Sequence, residues 1–197
     1  MPLPSLRLPR LLALSTAAAL MLGSGASAQA AVLPGIQLQD QHAAALTAAS
    51  VAQRVVLLHF VFTTCSTTCP TQVRELAAVH DSLSKEARAH VRFLSVSVDP
   101  LSDTPATLAA FARRMDAQRP GWSFATGRPE QVQALVERMQ AMAPGRQRAA
   151  PQDHRTSLYL FDASGELVQR FAGVPVDRPR LAAEITRLVA AKARTAH

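Results

Sequence analysis

The chain has 197 residues, 48% of them hydrophobic, which suits one domain with a buried core and is short for two. Its 21 basic and 14 acidic residues give a formal charge of +7. That charge is spread along the chain without a block of like sign or aromatic interleaving, which argues against nucleic-acid binding and leaves a solvated basic surface.

Residues 1–28 read as a cleaved secretory signal peptide. Arg7 and Arg10 supply the positive start, Leu11 to Leu22 is an apolar run, and Ala26-Ser27-Ala28 is an A-x-A cleavage site that leaves Gln29 as the new N-terminus. An uncleaved membrane anchor is the alternative, but the run is shorter than the roughly 20 residues a spanning helix needs. No cysteine lies near the cut, which argues against lipid attachment there. The expectation is export to the periplasm and one domain over 29–197, with no membrane span after cleavage.

Ile36 to Asp40 is a candidate first strand, and the Ala-rich stretch 43–52 is compatible with helix or loop. Val55 to Phe62 (VVLLHFVF) is apolar on both faces, as in a central strand covered on both sides. A helix follows, with Val73, Leu76, Ala77, His80 and Leu83 on one face. Val91 to Val98 is a second buried strand. Thr104-Pro105 opens a helix that faces inward through Leu108, Phe111, Ala112 and Met115. Trp122 to Ala125 is a short strand, and Pro129 opens a helix with Val132, Leu135, Val136, Met139 and Met142 in register. After a polar loop, Ala143 to Asp153, strands Ser157–Asp162 and Glu166–Phe171 form a hairpin through Ala163-Ser164-Gly165. Arg178 to Ala193 is the last helix. Alternation of this kind predicts an α/β fold with a mostly parallel central sheet, helices on both faces and a C-terminal β-hairpin. A cysteine motif at the end of the first long strand suits a thioredoxin-like version, with ligands gathered at the carboxyl ends of the strands.

The only two cysteines lie in Thr63-Thr64-Cys65-Ser66-Thr67-Thr68-Cys69-Pro70. A bridge closing so short a loop constrains almost nothing, so the pair is chemical before it is structural. Pro70 belongs in the first turn of the following helix. Cys69 is then expected at the helix entrance, where free N–H groups and the dipole favour a thiolate. Residues four apart on a helical turn share a face, so the sulfurs can form a disulfide or grip one soft metal ion. Two sulfurs are too few for a closed zinc site or an iron–sulfur cluster. Copper accepts three ligands, which leaves the third among six histidines. His197 is terminal, His90 ends a polar turn, His42 is in the Ala-rich lead, His80 falls on an apolar helix face, and His59 lies inside the buried strand. His154, at the end of the polar loop, is either a solvated loop residue or a ligand.

Three segments bear a resemblance. FTTCSTTCPTQ at 62–72 resembles the FTxCxxxCPT segment of Sco/SenC proteins, SVDPLSDTPATLAAF at 97–111 looks like their V-D-P-x-x-D-T-P segment, and DHRTSLYLFDASGELV at 153–168 is similar to their D-H-x-x-x-x-Y-L-x-D-x-x-G segment. They occur in family order and span about residues 36–192. The resemblance implies a copper site (Cu(I)/Cu(II)) made by Cys65, Cys69 and His154. It also implies copper delivery to, or thiol reduction at, the binuclear copper site of cytochrome c oxidase subunit II or another copper protein. Asp99 and Asp103 match family aspartates, and turn chemistry accounts for both. Ser66, Thr67 and Thr68 stand where many members carry a carboxylate beside the metal.

The same cysteines could instead serve a thiol–disulfide oxidoreductase, with Cys65 and Cys69 as the redox-active pair. A peroxiredoxin-like peroxidase fits poorly, since Phe62 stands where that pattern needs Thr. No signalling module supports a sensor.

Overall fold

A computed structural model of the chain describes residues 36–143 and 150–195. The expected signal peptide and its cleavage point lie outside these residues, as does His197.

Strand β1 (Gln37–Asp40) turns back through Asp40 into β2 (Ala45–Thr47), which runs on into one helical turn, α1 (Ala48–Val51). The Ala-rich stretch is thus half strand and half helix. Strand β3 (Val55–Val61) follows, with all seven residues shielded from solvent. Helix α2 (Thr68–Ser82) carries the second cysteine and α3 (Lys85–His90) follows it, capped by the Ser84 side chain on the Ala87 N–H. His90 therefore ends a helix rather than a turn. Then come β4 (Val91–Ser97), α4 (Pro105–Arg114, with Thr104 capping Thr107 N), β5 (Trp122–Thr126) and α5 (Pro129–Arg138). Strands β6 (Leu158–Phe161) and β7 (Leu167–Phe171) form the hairpin, and α6 (Arg178–Thr195) closes the chain.

The strands form one sheet in the order β2-β1-β5-β4-β3-β6-β7. Its centre is parallel, β3 with β4 and β4 with β5. The flanks, β1 against β2 and β5, and β6 against β3 and β7, are antiparallel. The hairpin turns on the Asp162 carboxylate, which accepts the N–H groups of Ser164, Gly165 and Glu166, with Gly165 at φ 99°.

Alternation along β3 sorts its side chains into two cores. Val55, Leu57 and Val61 pack with Val73 and Leu76 of α2, Leu108 and Phe111 of α4, and Leu181 and Ile185 of α6. Val56, Leu58 and Phe60 pack on the other face with Val132, Leu135 and Val136 of α5. Each fully buried aliphatic side chain contributes roughly 1.5–3 kcal/mol against the entropy of ordering the chain. Helix α5 stops at Arg138, with Met139 as its C-cap and Gln140 at φ 51°. Met142 is therefore not on the helix. It pairs in an antiparallel bridge with His154. Part of the expected loop is also ordered as a single 3-10 turn, Pro151–Asp153.

Candidate metal centre

The parallel β3–β4 pair delivers two loops to one end of the sheet. The first, residues 62–67, leads from β3 to α2. Cys65 N donates to Phe62 O (3.2 Å), so the chain turns at once and aims the Cys65 side chain at the start of α2. There Cys69 N donates to Cys65 Sγ at 3.3 Å. A helix begins with N–H groups that lack partners, and the Cys65 sulfur accepts from one of them.

This inverts the expectation for the two thiols. Burial pushes the Cys65 thiol up, but the N–H and thiol of Cys69 and the N–H groups of Thr67 and Thr68 outweigh it and hold Cys65 below its usual value. Cys69 lies inside the first turn and is 1% exposed. Burial first, then the hydrogen bond with Cys65, pushes it up to about 12. The helix N-terminus therefore favours a thiolate at Cys65, across the loop, and not at the residue within the helix. Sequence position indicated which residue begins the helix but not which sulfur faces its N–H groups. Both cysteines are unbridged.

His154 reaches the same end ahead of β6, the antiparallel neighbour of β3. Residues 141–143 lie against 153–155, with Ala143 N bonded to Asp153 O (3.0 Å) and Arg155 N to Ala141 O (2.6 Å). The His154 ring meets Phe62 edge-on, with centroids 5.5 Å apart. Its Nδ1 lies 2.6 Å from Pro151 O. A carbonyl only accepts, so Nδ1 carries the proton and Nε2 keeps a lone pair. Burial lowers the His154 pKa against the pull of the Pro151 and Phe60 carbonyls, which keeps the ring neutral near pH 7.

Cys65 and His154 line one open cavity of about 310 Å³ with Phe62, Thr64, Ser66, Thr67, Thr68, Gln152 and Thr156. Among the described residues, no carboxylate lines it. The donor set, a thiolate-prone sulfur, a second sulfur beneath it and a neutral imidazole, is soft and suits a soft metal ion. Among the described residues, no three His, Cys, Asp or Glu side chains stand close enough together to hold an ion. Cys69 is covered by the helix turn, and the His154 ring is tied to Pro151. Closing a three-ligand site requires these groups to shift.

The other described histidines are elsewhere. His42 and His90 are exposed. His80 is packed beside Phe93 and Trp122 with Nε2 donating to Pro120 O. His59 is wholly buried.

Asp103 departs from the turn role expected of it. Thr104 caps α4, while Asp103 is 1% exposed and turns inward. It accepts Thr63 Oγ1 (2.5 Å), Thr63 N (3.1 Å) and Ser97 Oγ (2.5 Å). Asp99 does make the turn, its carbonyl accepting from Ser102 N and Asp103 N. Asp103 thus anchors the loop two residues before Cys65. The sequence carried one hint of this, an acid directly before a capped helix where Thr104 already sufficed.

The SCO1/SenC family model matches residues 25–190. Over 149 residues, 74% of this chain and 65% of the other, the chain is 33% identical to protein SenC of Rhodobacter capsulatus. Over 138 residues, 69% of this chain and 71% of the other, it is 28% identical to a SCO1 protein homolog of Bacillus subtilis. The structure of Bradyrhizobium japonicum ScoI with copper bound matches at a TM-score of 0.65 and 28% identity, covering 77% of this chain and 96% of that one. The chain shares the thioredoxin-like architecture of the solved Sco structures.

Proposed function

The chain belongs to the SCO1/SenC family, and on that premise we propose that it is an exported copper carrier, serving the binuclear copper site of a cytochrome c oxidase or another copper protein. The observation that carries this reading is the meeting of Cys65 and His154 in one open cavity, with Cys69 directly beneath Cys65. Copper is the cargo. Cys65 and Cys69 as thiolates hold Cu(I), and Nε2 of His154 completes the set and supports Cu(II). Because Cys69 is covered and the His154 ring is tied to Pro151, loading is coupled to a local shift of residues 63–68 or of the ring. An accessible sulfur and imidazole suit ligand-by-ligand exchange with an acceptor. Export rests on the N-terminal sequence, and no helix among the described residues is long and apolar enough to cross a membrane.

The inequality of the two thiols favours a second reading, reduction of a partner's disulfide. Cys65 as thiolate attacks one partner sulfur, the partner S–S bond breaks, and the partner's other sulfur leaves as thiolate. Cys69 then loses its proton and attacks Cys65 of the mixed disulfide, releasing the second partner thiolate. The chain is oxidised to the Cys65–Cys69 disulfide by two electrons and the partner is reduced.

Copper stoichiometry of the reduced protein, beside Cys65→Ser and His154→Ala, tests the first reading. One tightly held copper per chain is expected, lost from both variants, while His154→Ala still titrates two thiols. A wild-type protein that holds no copper would overturn it and leave the dithiol as the activity to pursue.

A further inference from the structure

A chain of polar side chains runs through the core under α2. Trp122 Nε1 lies 2.9 Å from Ser95 Oγ, Ser95 Oγ lies 2.6 Å from His59 Nε2, His59 Nδ1 lies 2.9 Å from Gln72 Oε1, and Gln72 Nε2 lies 2.5 Å from Thr156 O. Proton bookkeeping gives this chain one direction. Indole N–H only donates, so Ser95 accepts from Trp122 and gives its own proton to His59 Nε2. Thr156 O only accepts, so the amide nitrogen of Gln72 must face it, and Gln72 Oε1 must accept from His59 Nδ1. Every group is used once, and His59 is neutral with its proton on Nδ1. Burial, opposed by the Gln72 bond and reinforced by His154, lowers His59 to about 4, in keeping with that state.

The ends of this chain matter for the site. Gln72 stands on α2, one turn after Cys69, and is 1% exposed. Thr156 lies two residues after His154. The 141–143 segment holds one flank of the His154 segment, and the Gln72 amide holds the other. Gly173 packs against both partners of that bond, and a Cβ there would overlap Thr156 O and Gln72 Nε2.

Resting on the copper reading of the site, we propose that Gln72 is a positioning residue that fastens the segment carrying His154 to the helix carrying Cys69, with His59 fixing which end of the Gln72 amide faces Thr156. Without a donor beneath Thr156, the His154 ring loses its fixed distance from the two sulfurs. The Cys65–Cys69 pair, set by the first turn of α2, is untouched.

The test uses the full chain with Gln72→Leu, Gln72→Glu (the same shape without the N–H) and His59→Phe. In the reduced, metal-free protein, exchange of the Arg155 amide is expected to rise at least tenfold in the Gln72 variants, with β3 and β4 amides unchanged. After loading with copper(II), the nitrogen hyperfine coupling is expected to disappear while sulfur-to-copper charge transfer persists. Thiol count and Cys65 alkylation rate are expected to stay at wild-type values. His59→Phe lets the amide turn over and is expected to show the same loss in part. Folded Gln72 variants with wild-type Arg155 exchange, or with nitrogen coupling retained, would overturn the proposal. If the Gln72 variants do not fold, His59→Phe decides by the same two readouts. A wild type that takes no copper defeats the reading of the site, and Arg155 exchange alone then decides whether Gln72 fastens the segment.

Discussion

Asp103 grips Thr63 at two points, one carboxylate oxygen taking the hydroxyl at 2.5 Å and the other the backbone N–H at 3.1 Å. The second oxygen also takes the Ser97 hydroxyl, so a single buried acid joins the loop before Cys65 to the end of β4.

Asp103→Ala is therefore expected to cost about 2–4 kcal/mol, because it leaves the buried Ser97 hydroxyl and two half-buried Thr63 donors without their acceptor. Asp103→Asn, which keeps acceptance at one oxygen, is expected to cost less. Denaturant titration reads the first difference. The copper-binding curve of the folded variants reads whether the loop before Cys65 has loosened.

The two thiols are expected to differ in reactivity. In the reduced protein near neutral pH, iodoacetamide should label Cys65 at least tenfold faster than Cys69, as followed by peptide mass spectrometry. Cys65 is partly exposed and held below the usual thiol value by the N–H groups at the start of α2, whereas Cys69 is buried and pushed up to about 12. Equal rates would show that the first turn of α2 opens freely.

Acid should weaken the fold through His59. In the unfolded chain a histidine takes a proton near pH 6.5, but in the folded protein His59 refuses it until about pH 4. Between those values the unfolded state binds the extra proton, so stability falls as pH falls through this window, by roughly 3 kcal/mol in all. Above pH 6.5 the contribution is fully present. His80 and His154 are also lowered by burial and add slope of the same sign. Denaturation curves at several pH values should show a shallower slope for His59→Phe than for wild type.

Gly173→Ala should reproduce the behaviour of the Gln72 variants from the opposite side. The added methyl has no room beside Thr156 O and Gln72 Nε2, so the bond must lengthen or the backbone must move. Faster Arg155 amide exchange is the expected result. A protein with unchanged exchange would mean that the hairpin end absorbs the methyl.

The near-continuous apolar run of β3 and the helical period of apolar residues in α2, α4, α5 and α6 made the layered α/β fold legible in the sequence, because these patterns are local properties of spacing. The cysteine motif was legible for the same reason, since strand end, loop and helix start are contiguous. Pattern placed His59 inside the buried strand without giving it a purpose, and did not single out Gln72 at all. His59 interrupts an apolar strand, and Gln72 sits on the inner face of α2 between Cys69, Val73 and Leu76. Each is a polar group that burial permits only with partners, and those partners, Ser95 and Thr156, are distant in sequence.

The sequence by itself determined the main strands and helices from β3 to α6, apart from α3, the faces they bury, and that two sulfurs stand at the head of a helix. Only the tertiary structure decided which sulfur the helix N-terminus favours, that Asp103 anchors the Cys65 loop, and that His154 shares the Cys65 cavity. The physical reason is that these depend on directions of hydrogen bonds between segments far apart in the chain, and such directions are set when the sheet assembles.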